Sequence, residues 1–146
     1  MTDWRSIQQG FDPDGALRDV YIAPASAALW NEFIEWVSCA GYSSEFWHGQ
    51  QKKALPREFR EIKQLQQTDP TTLKLFLSAG VQINCHFFID EEIELDIDPR
   101  EIQDQEAFES LLKFLRAIAT ALKRNARVTY ENSPENELFV VEHKSV

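Results

Sequence analysis

The chain has 146 residues, of which 43% are hydrophobic, and a formal net charge of −9 at pH 7. Aliphatic and aromatic residues recur along its whole length, which excludes a disordered chain and favours one globular domain over residues 1–146. No apolar stretch is long enough to cross a membrane, the first residues lack a secretory signal, and two cysteines are too few for a disulfide framework, so we expect a cytoplasmic protein.

The first half of the chain predicts an N-terminal arm followed by alternating strands and helices. The arm covers residues 1–15 and ends in a turn rich in Pro, Asp and Gly. Next come a strand over 17–22, a helix that Ser26 caps and that ends near Cys39, a strand over 42–48, a polar loop over 49–55 and a helix over 56–67. Cys39 and Cys85 both lie in apolar patterns, so we expect two free, buried thiols.

The second half predicts three consecutive strands, a long helix and a final hairpin. The strands cover 73–77, 81–89 and 93–97, because apolar residues alternate there. The helix begins after Asp104 and ends near Arg124, and the hairpin pairs 128–131 with 138–142. The resulting order, β-α-β-α-β-β-β-α-β-β, predicts an α+β fold: a two-layer sandwich of an antiparallel-rich mixed sheet with the helices on one face.

Loop lengths predict the register of the three central strands. A three-residue first loop places Leu73 opposite Cys85, and a three-residue second loop places Cys85 opposite Ile97. In this register Ile89 points into the core together with the other alternating apolar residues.

The outward face of these strands carries an unusual set of side chains. The predicted register lines up Thr72, His86 and Asp96 in one row across the sheet. Phe76 and Phe88 also point outward, where a merely solvated face would carry polar residues. Either this face recognises a partner, or the two phenylalanines pack beneath the N-terminal arm.

Negative charge is concentrated in one segment of the chain. Residues 90–109 hold ten acidic residues and one basic residue, Arg100, so their net charge of −9 equals that of the whole chain. We expect these carboxylates to form one electronegative surface, which attracts basic proteins and repels phosphate backbones. Nucleic acid is therefore not predicted as a partner. Because bases gather at 52–63, the molecule is dipolar, which permits self-association as a homodimer.

These features favour a non-catalytic acidic protein-binding module over an enzyme. In its sharpest form this is an immunity or antitoxin-type protein that neutralises a basic toxin domain. No metal, nucleotide or cofactor motif occurs, so we predict no cofactor and no metal site. The residues predicted to bind the partner are aromatics and carboxylates: Trp36, Trp47, Phe76, Phe88, Asp90, Glu91, Glu92, Glu94, Asp96 and Asp98.

The alternative is a small enzyme or a small-ligand binder. It would use His86, Asp96 and Thr72, which are weak catalytic candidates, in a pocket beneath the N-terminal arm. A carboxylate beside an imidazole orients the ring, but the pattern predicts no stronger nucleophile, second acid or metal ligand nearby. A deep cavity over this face would favour the alternative, and a flat or convex acidic face would favour partner binding.

Overall fold

Within residues 3–144, which the computed structural model describes, the chain forms eight strands and four α-helices. The two ends of the predicted domain, residues 1–2 and 145–146, lie outside the described residues. The strands are β1 (Arg18–Ile22), β2 (Ser43–His48), β3 (Gln51–Lys53), β4 (Thr71–Phe76), β5 (Gln82–Cys85), β6 (Ile93–Ile97), β7 (Ala126–Tyr130) and β8 (Ser133–Val141). The helices are α1 (Trp4–Ile7), α2 (Ala27–Cys39), α3 (Phe59–Leu65) and α4 (Gln105–Leu122).

The eight strands form one sheet in the order β3-β2-β4-β5-β6-β1-β7-β8. The predicted two-layer α+β class is confirmed, although each described strand pair is antiparallel and the sheet is therefore not mixed. Alternate strand residues and the apolar stripes of α2 and α4 share one hydrophobic core. Over the described part of the chain, no helix combines the length and the apolar character needed to span a lipid bilayer.

The two long helices begin where the sequence predicts. The Ser26 hydroxyl accepts a hydrogen bond from Leu29 N at 3.2 Å at the start of α2. The Asp104 carboxylate accepts one from Ala107 N at 2.8 Å at the start of α4. Each cap satisfies an N–H group that has no partner inside its helix. At the other end of α4, Lys123 adopts a left-handed conformation with a φ of 56°, which stops the helix.

A short strand lies inside the polar loop predicted over 49–55. This strand, β3, turns back onto β2 and pairs Gln51 with His48. Gly49 makes the turn possible, since its φ of 57° lies in the left-handed region that glycine tolerates best. Gln and Lys side chains give β3 no apolar alternation, which is why the sequence pattern misses it.

The predicted pairing of β4 with β5 is confirmed, because Leu73 lies opposite Cys85. The predicted pairing of β5 with β6 is wrong: Cys85 lies opposite Leu95, two residues before its predicted partner. The strand predicted to continue to residue 89 ends at Cys85, and Phe87 beyond it has a left-handed φ of 59°. Phe87 is buried, as the alternation predicts, but the turn breaks the alternation after it, so that Ile89, predicted to lie in the core, is 46% exposed.

The N-terminal arm packs on the helical side of the sheet and not over the outward-facing phenylalanines. The ring of Trp4 lies 5.9 Å from that of Phe108 in α4 and 6.2 Å from that of Phe11. The cavity beside His86 has no arm residue among its lining side chains. Among the described residues, the arm does not cover His86, so the pocket predicted between the arm and the outward face of the sheet is not formed.

Arg18 fastens the arm to the sheet. Its side chain is 1% exposed, and its guanidinium donates hydrogen bonds to Gly10 O at 2.7 Å and to Asp12 O at 3.1 Å. The same guanidinium contacts the Asp14 carboxylate at 3.2 Å and lies 4.8 Å from the centre of the Tyr130 ring. A buried charge with this many acceptors is a structural anchor, because removal of the acceptors or of the guanidinium leaves unpaired polar groups.

The two cysteine thiols are free but differ in environment. Cys85 is buried, as predicted, and burial raises the pKa of its thiol. The prediction of burial is wrong for Cys39, which is exposed in the last turn of α2. The buried stripe of α2 ends at Val37, and Cys39 lies on the opposite side of the helix, facing solvent.

Candidate functional site

A row of polar side chains crosses the sheet on the face turned away from the hydrophobic core, which we name the open face. Val20 and Leu95 pack in the core, so their neighbours Asp19 and Asp96 point to the opposite side. Strand pairing places one residue from each of seven strands in this row: Glu45, Lys74, Asn84, Asp96, Asp19, Thr129 and Glu137. Four of these side chains are carboxylates and one is a lysine, so the row is acidic.

The centre of the row holds two buried carboxylates on adjacent strands. Asp19 and Asp96 lie directly opposite each other and are 2% and 6% exposed. The Asp19 carboxylate accepts hydrogen bonds from the Tyr21 hydroxyl at 3.1 Å and from Asn132 N at 2.8 Å. Among the described residues, neither carboxylate forms an ion pair with Lys or Arg. Burial, with the charge of Asp96 added to it, raises the pKa of Asp19 above its usual value.

Asp19 is not among the site residues predicted from the sequence. The only signal for it is an acidic residue near the start of a predicted strand, and that position becomes informative only when β1 is known to lie beside β6. Nothing in the alternation of β1 says which strand is its neighbour. The open face therefore contains more acidic residues than the segment 90–109 alone provides.

Glu94 lies next to this pair on β6, opposite Tyr21 of β1. Burial raises the pKa of Glu94 to about 7, and the charges of Asp19, Glu92 and Asp96 contribute to the increase. Burial and the nearby carboxylates also raise the pKa of the Tyr21 hydroxyl. A carboxyl group with this pKa is only partly ionised at neutral pH, so a cation brought close to it would drive it to ionise.

His86 links Thr72 to Asp96, as the sequence predicts, although the strand register differs from the prediction. The Thr72 hydroxyl lies 3.2 Å from His86 Nδ1, and His86 Nε2 lies 2.9 Å from an Asp96 carboxylate oxygen. The hydrogen bond that the Asp96 carboxylate accepts from the ring raises the pKa of the imidazole. Asn84 also donates to Asp96, at 3.0 Å. Both ring nitrogens of His86 are thus engaged within the fold, which orients the ring and gives it a structural partner on each side.

Helix α3 holds the segment that follows β5. Lys63 Nζ donates hydrogen bonds to the carbonyl oxygens of Phe87 at 3.3 Å and of Phe88 at 2.9 Å. Gln66 Nε2 donates to the carbonyl oxygens of His86 at 3.1 Å and of Phe87 at 3.0 Å. These donors satisfy three consecutive carbonyl groups that the end of the strand would otherwise leave without partners. The left-handed turn at Phe87 is therefore fixed from outside its own strand.

The turn presents an exposed segment, residues 88–92, which we name the 88–92 loop. Phe88 is 53% exposed and Ile89 is 46% exposed, which makes them two of the three exposed large hydrophobic residues in the described chain. Trp30 Nε1 donates a hydrogen bond to Ile89 O at 2.8 Å, and Ala25 N donates one to Glu91 O at 2.8 Å. The loop backbone is therefore fastened to the core, while two apolar side chains face solvent. They are followed directly by Asp90, Glu91 and Glu92.

The segment 90–109 does not form the single acidic surface that the sequence predicts. The Asp98 carboxylate pairs with the Arg100 guanidinium, with Nη2 at 2.6 Å from the nearest oxygen. Glu101 accepts a hydrogen bond from Gln82 N at 2.9 Å, and Asp104 caps α4. These three acids satisfy donors within the fold, and Glu106 and Glu109 lie exposed on α4, on the helical side of the sheet. The acids accessible to a partner beside the open face are therefore Asp90, Glu91, Glu92 and Glu94.

The predicted aromatic site residues separate into two groups. Phe76 on β4 and Trp47 on β2 lie half-buried on the open face, and the Trp47 ring lies 5.4 Å from Lys74 Nζ. Trp36 lies elsewhere, because it packs against Phe114 at 5.7 Å between ring centres on the helical side. The structure thus brings Phe76 and Trp47 onto the acidic face and places Trp36 apart from it.

A cavity of about 410 Å³ lies beside His86, between the end of α3 and the turn at Phe87. Gln66, Thr71 and Phe88 also line it, but Asp96 and Thr72 do not. No group of three or more His, Cys, Asp or Glu side chains within residues 3–144 is arranged to hold a metal ion. We found no family model, curated protein or solved structure that matches this chain.

Proposed function

We propose that this chain is a non-catalytic binding module that uses the open face and the 88–92 loop to bind a basic protein. The observation that carries the proposal is the group formed by Asp19, Glu92, Glu94 and Asp96, which has no Lys or Arg ion pair among the described residues. Burial, with the charges of the other three carboxylates added to it, raises the pKa of Glu94, so ionisation of this group is unfavourable in the free protein. A cationic partner would stabilise the ionised carboxylates, so the complex recovers that cost.

The exposed side chains of Phe88 and Ile89 support the same proposal. Interfaces commonly place an aromatic anchor at the centre and polar residues around it. Here Phe88 and Ile89 supply the apolar area, and Asp90 and Glu91 lie exposed directly beside them. Because Lys63, Trp30 and Ala25 fasten the backbone of this segment, little ordering entropy would be lost on binding.

The partner that fits this face best is a basic toxin domain whose cleft binds phosphate groups. Such a cleft is lined by Lys and Arg, and carboxylates can occupy the positions that phosphates otherwise take. In this role the chain acts as an immunity or antitoxin-type protein and blocks the cleft. We place the complex in the cytoplasm, where the free thiols of Cys39 and Cys85 would stay reduced.

The test is affinity capture from the source lysate, followed by titration of the captured basic protein with matched variants. Glu92→Gln with Glu94→Gln removes two acidic groups from the open face while keeping side-chain shape. Glu106→Gln with Glu109→Gln removes two exposed charges from α4 and serves as the control. We expect the first variant to weaken binding at least about 30-fold, which corresponds to about 2 kcal/mol, and the control to change it less than about threefold. Equal losses in both variants would mean that net charge alone drives binding and would overturn the proposal.

A second candidate function, binding of a small polar ligand, is favoured by the cavity beside His86. The cavity combines the His86 imidazole with the side chains of Gln66, Thr71 and Phe88, so it offers both polar groups and an apolar wall. Chemical-shift changes confined to these four residues on addition of a small-metabolite library, with no basic protein captured, would support this candidate in place of partner binding.

A further inference from the structure

The two edges of the sheet differ in how well they are protected against another strand. The β3 edge is three residues long and carries Lys52 and Lys53, which are the usual devices that discourage strand addition. The β8 edge is nine residues long and contains no Lys or Arg. Its first part includes Pro134 and pairs irregularly with β7, but from Phe139 to Val141 the pairing is regular. The last three residues of β8, 139–141, therefore form a regular edge that no other strand of the described chain covers.

A cavity lies on each side of this part of β8. On the open face, a cavity of about 660 Å³ is lined by Tyr21, Glu91, Arg127, Glu137 and Glu142. On the helical side, a cavity of about 560 Å³ is lined by Leu112, Arg116 and Thr120 of α4, with Val141 and Lys144. Val140 and Glu142 line both cavities. Successive side chains of an added strand point to opposite faces of a sheet, so such a strand would direct alternate side chains into the two cavities.

We propose that the basic partner binds by adding one extended segment to the free edge of β8, with a Lys or Arg side chain in the open-face cavity and an apolar side chain in the helix-side cavity. This inference rests on the proposed function and names the partner segment that it would use. Glu91 belongs to the 88–92 loop and also lines the open-face cavity, so one partner could contact the β8 edge and the loop together.

The charges that line the two cavities determine which partner side chain would enter each of them. The open-face cavity has three carboxylates, from Glu91, Glu137 and Glu142, against one guanidinium, from Arg127. The helix-side cavity has two cationic side chains, Arg116 and Lys144, against the single Glu142 carboxylate, and otherwise offers the apolar side chains of Leu112 and the valines. A cation is therefore attracted to the first cavity and repelled from the second.

The same charges disfavour a second copy of this chain as the occupant. Pairing of two β8 strands would bring Glu135 and Glu137 of both copies to one edge, and β8 itself contains no lysine or arginine to oppose them, whereas like charges across strands are destabilising. The N-terminal arm approaches β8 closely, since a Cβ atom at Gly10 would come within 2.6 Å of Leu138. Among the described residues, however, the arm makes no backbone hydrogen bond with β8.

The probe for this inference is a capped ten-residue peptide of alternating Lys and Val, compared with the same peptide N-methylated at alternate residues. The two peptides share charge and side chains, but the second cannot complete a strand ladder. We expect the first to bind at least tenfold more tightly and to slow amide exchange at residues 139–142 at least tenfold. Equal binding of the two peptides would show that electrostatic attraction alone is at work and would overturn the inference.

Matched variants locate the binding and separate this inference from the proposed function. Glu137→Gln with Glu142→Gln should weaken peptide binding at least fivefold, whereas Glu106→Gln with Glu109→Gln on α4 should leave it within twofold. If the captured basic protein loses affinity with Glu92→Gln and Glu94→Gln but leaves amide exchange of 139–142 unchanged, strand addition is refuted and the proposed function stands. Dimerisation of the free chain with protection of the same amides would identify a second copy as the occupant and would also refute the inference.

Discussion

Replacement of Glu94 by Gln should stabilise the free protein at high pH. The pKa of Glu94 is about 7 in the folded state against a usual value of 4.5, because the side chain is partly buried near Asp19, Glu92 and Asp96. The folded state therefore holds a proton more tightly than the unfolded state between pH 4.5 and 7, so the free energy of unfolding falls as the pH rises through this window. A difference of this size corresponds to about 3 kcal/mol when fully expressed, and solvent around the half-exposed side chain reduces it to about 1–2 kcal/mol.

Glutamine keeps the shape of the side chain and removes the ionisation. Urea unfolding of both proteins should show the Glu94→Gln variant about 1–2 kcal/mol more stable at pH 8 and only a few tenths of a kcal/mol more stable at pH 5. Glu109→Gln, at an exposed position on α4, serves as the control and should change stability by less than about 0.5 kcal/mol at both pH values. A Glu94→Gln variant that is equally or less stable at pH 8 would refute the reasoning that burial and the neighbouring carboxylates make the ionised form of Glu94 unfavourable.

Three further predictions concern the anchors of the arm, the histidine and the loop. Arg18→Met should lower the free energy of unfolding by about 3–5 kcal/mol in chemical denaturation, because it leaves buried acceptors unpaired. Arg60→Met, at an exposed position, is the control, and a loss below about 1 kcal/mol for Arg18→Met would contradict its anchoring role. Asp96→Asn should lower the pKa of His86, measured by NMR titration of the ring, since Asp96 raises it; an unchanged pKa would exclude that contact in solution. Lys63→Met should accelerate amide exchange in the 88–92 loop about tenfold, and an unchanged rate would show that α3 does not fix the loop.

The parts of the fold that depend on local pattern could be predicted from the sequence. Alternation of apolar residues and the short loop after Leu77 correctly pair Leu73 with Cys85, because register follows from loop length when one face must be buried. The caps at Ser26 and Asp104 were likewise predictable, since each side chain bonds to an N–H three residues ahead in its own helix.

The predictions that differ from the structure are those that depend on contacts between distant parts of the chain. The turn at Phe87 depends on Lys63 and Gln66, which reach its carbonyl groups from a helix more than twenty residues earlier in the chain. No pattern within the strand indicates that support, so the alternation predicts a strand that is too long and places Ile89 in the core. The row that joins Asp19 to Asp96 is unpredictable for a similar reason, since it requires knowledge that β1 lies between β6 and β7.

The predicted contact between His86 and Asp96 is present although the register that suggested it is wrong. In the observed pairing Asp96 lies opposite Asn84, and His86 reaches it diagonally from just beyond the end of β5. Diagonal neighbours on one face of a sheet lie within reach of long or aromatic side chains, so a shift of two residues keeps the contact. A shift of one residue would have moved His86 to the opposite face and removed it.

If a basic partner stabilises the crowded carboxylates of the open face, as we propose, its binding should release protons, and a count of those protons is the most direct test. Calorimetric titration of the captured basic protein at pH 7, in two buffers of different ionisation enthalpy, counts the protons that leave. Because the pKa of Glu94 is about 7, binding should release about half a proton from the native chain and almost none from the Glu94→Gln variant. Binding with no proton release, or with the same release from both proteins, would contradict the proposal that a cationic partner ionises Glu94.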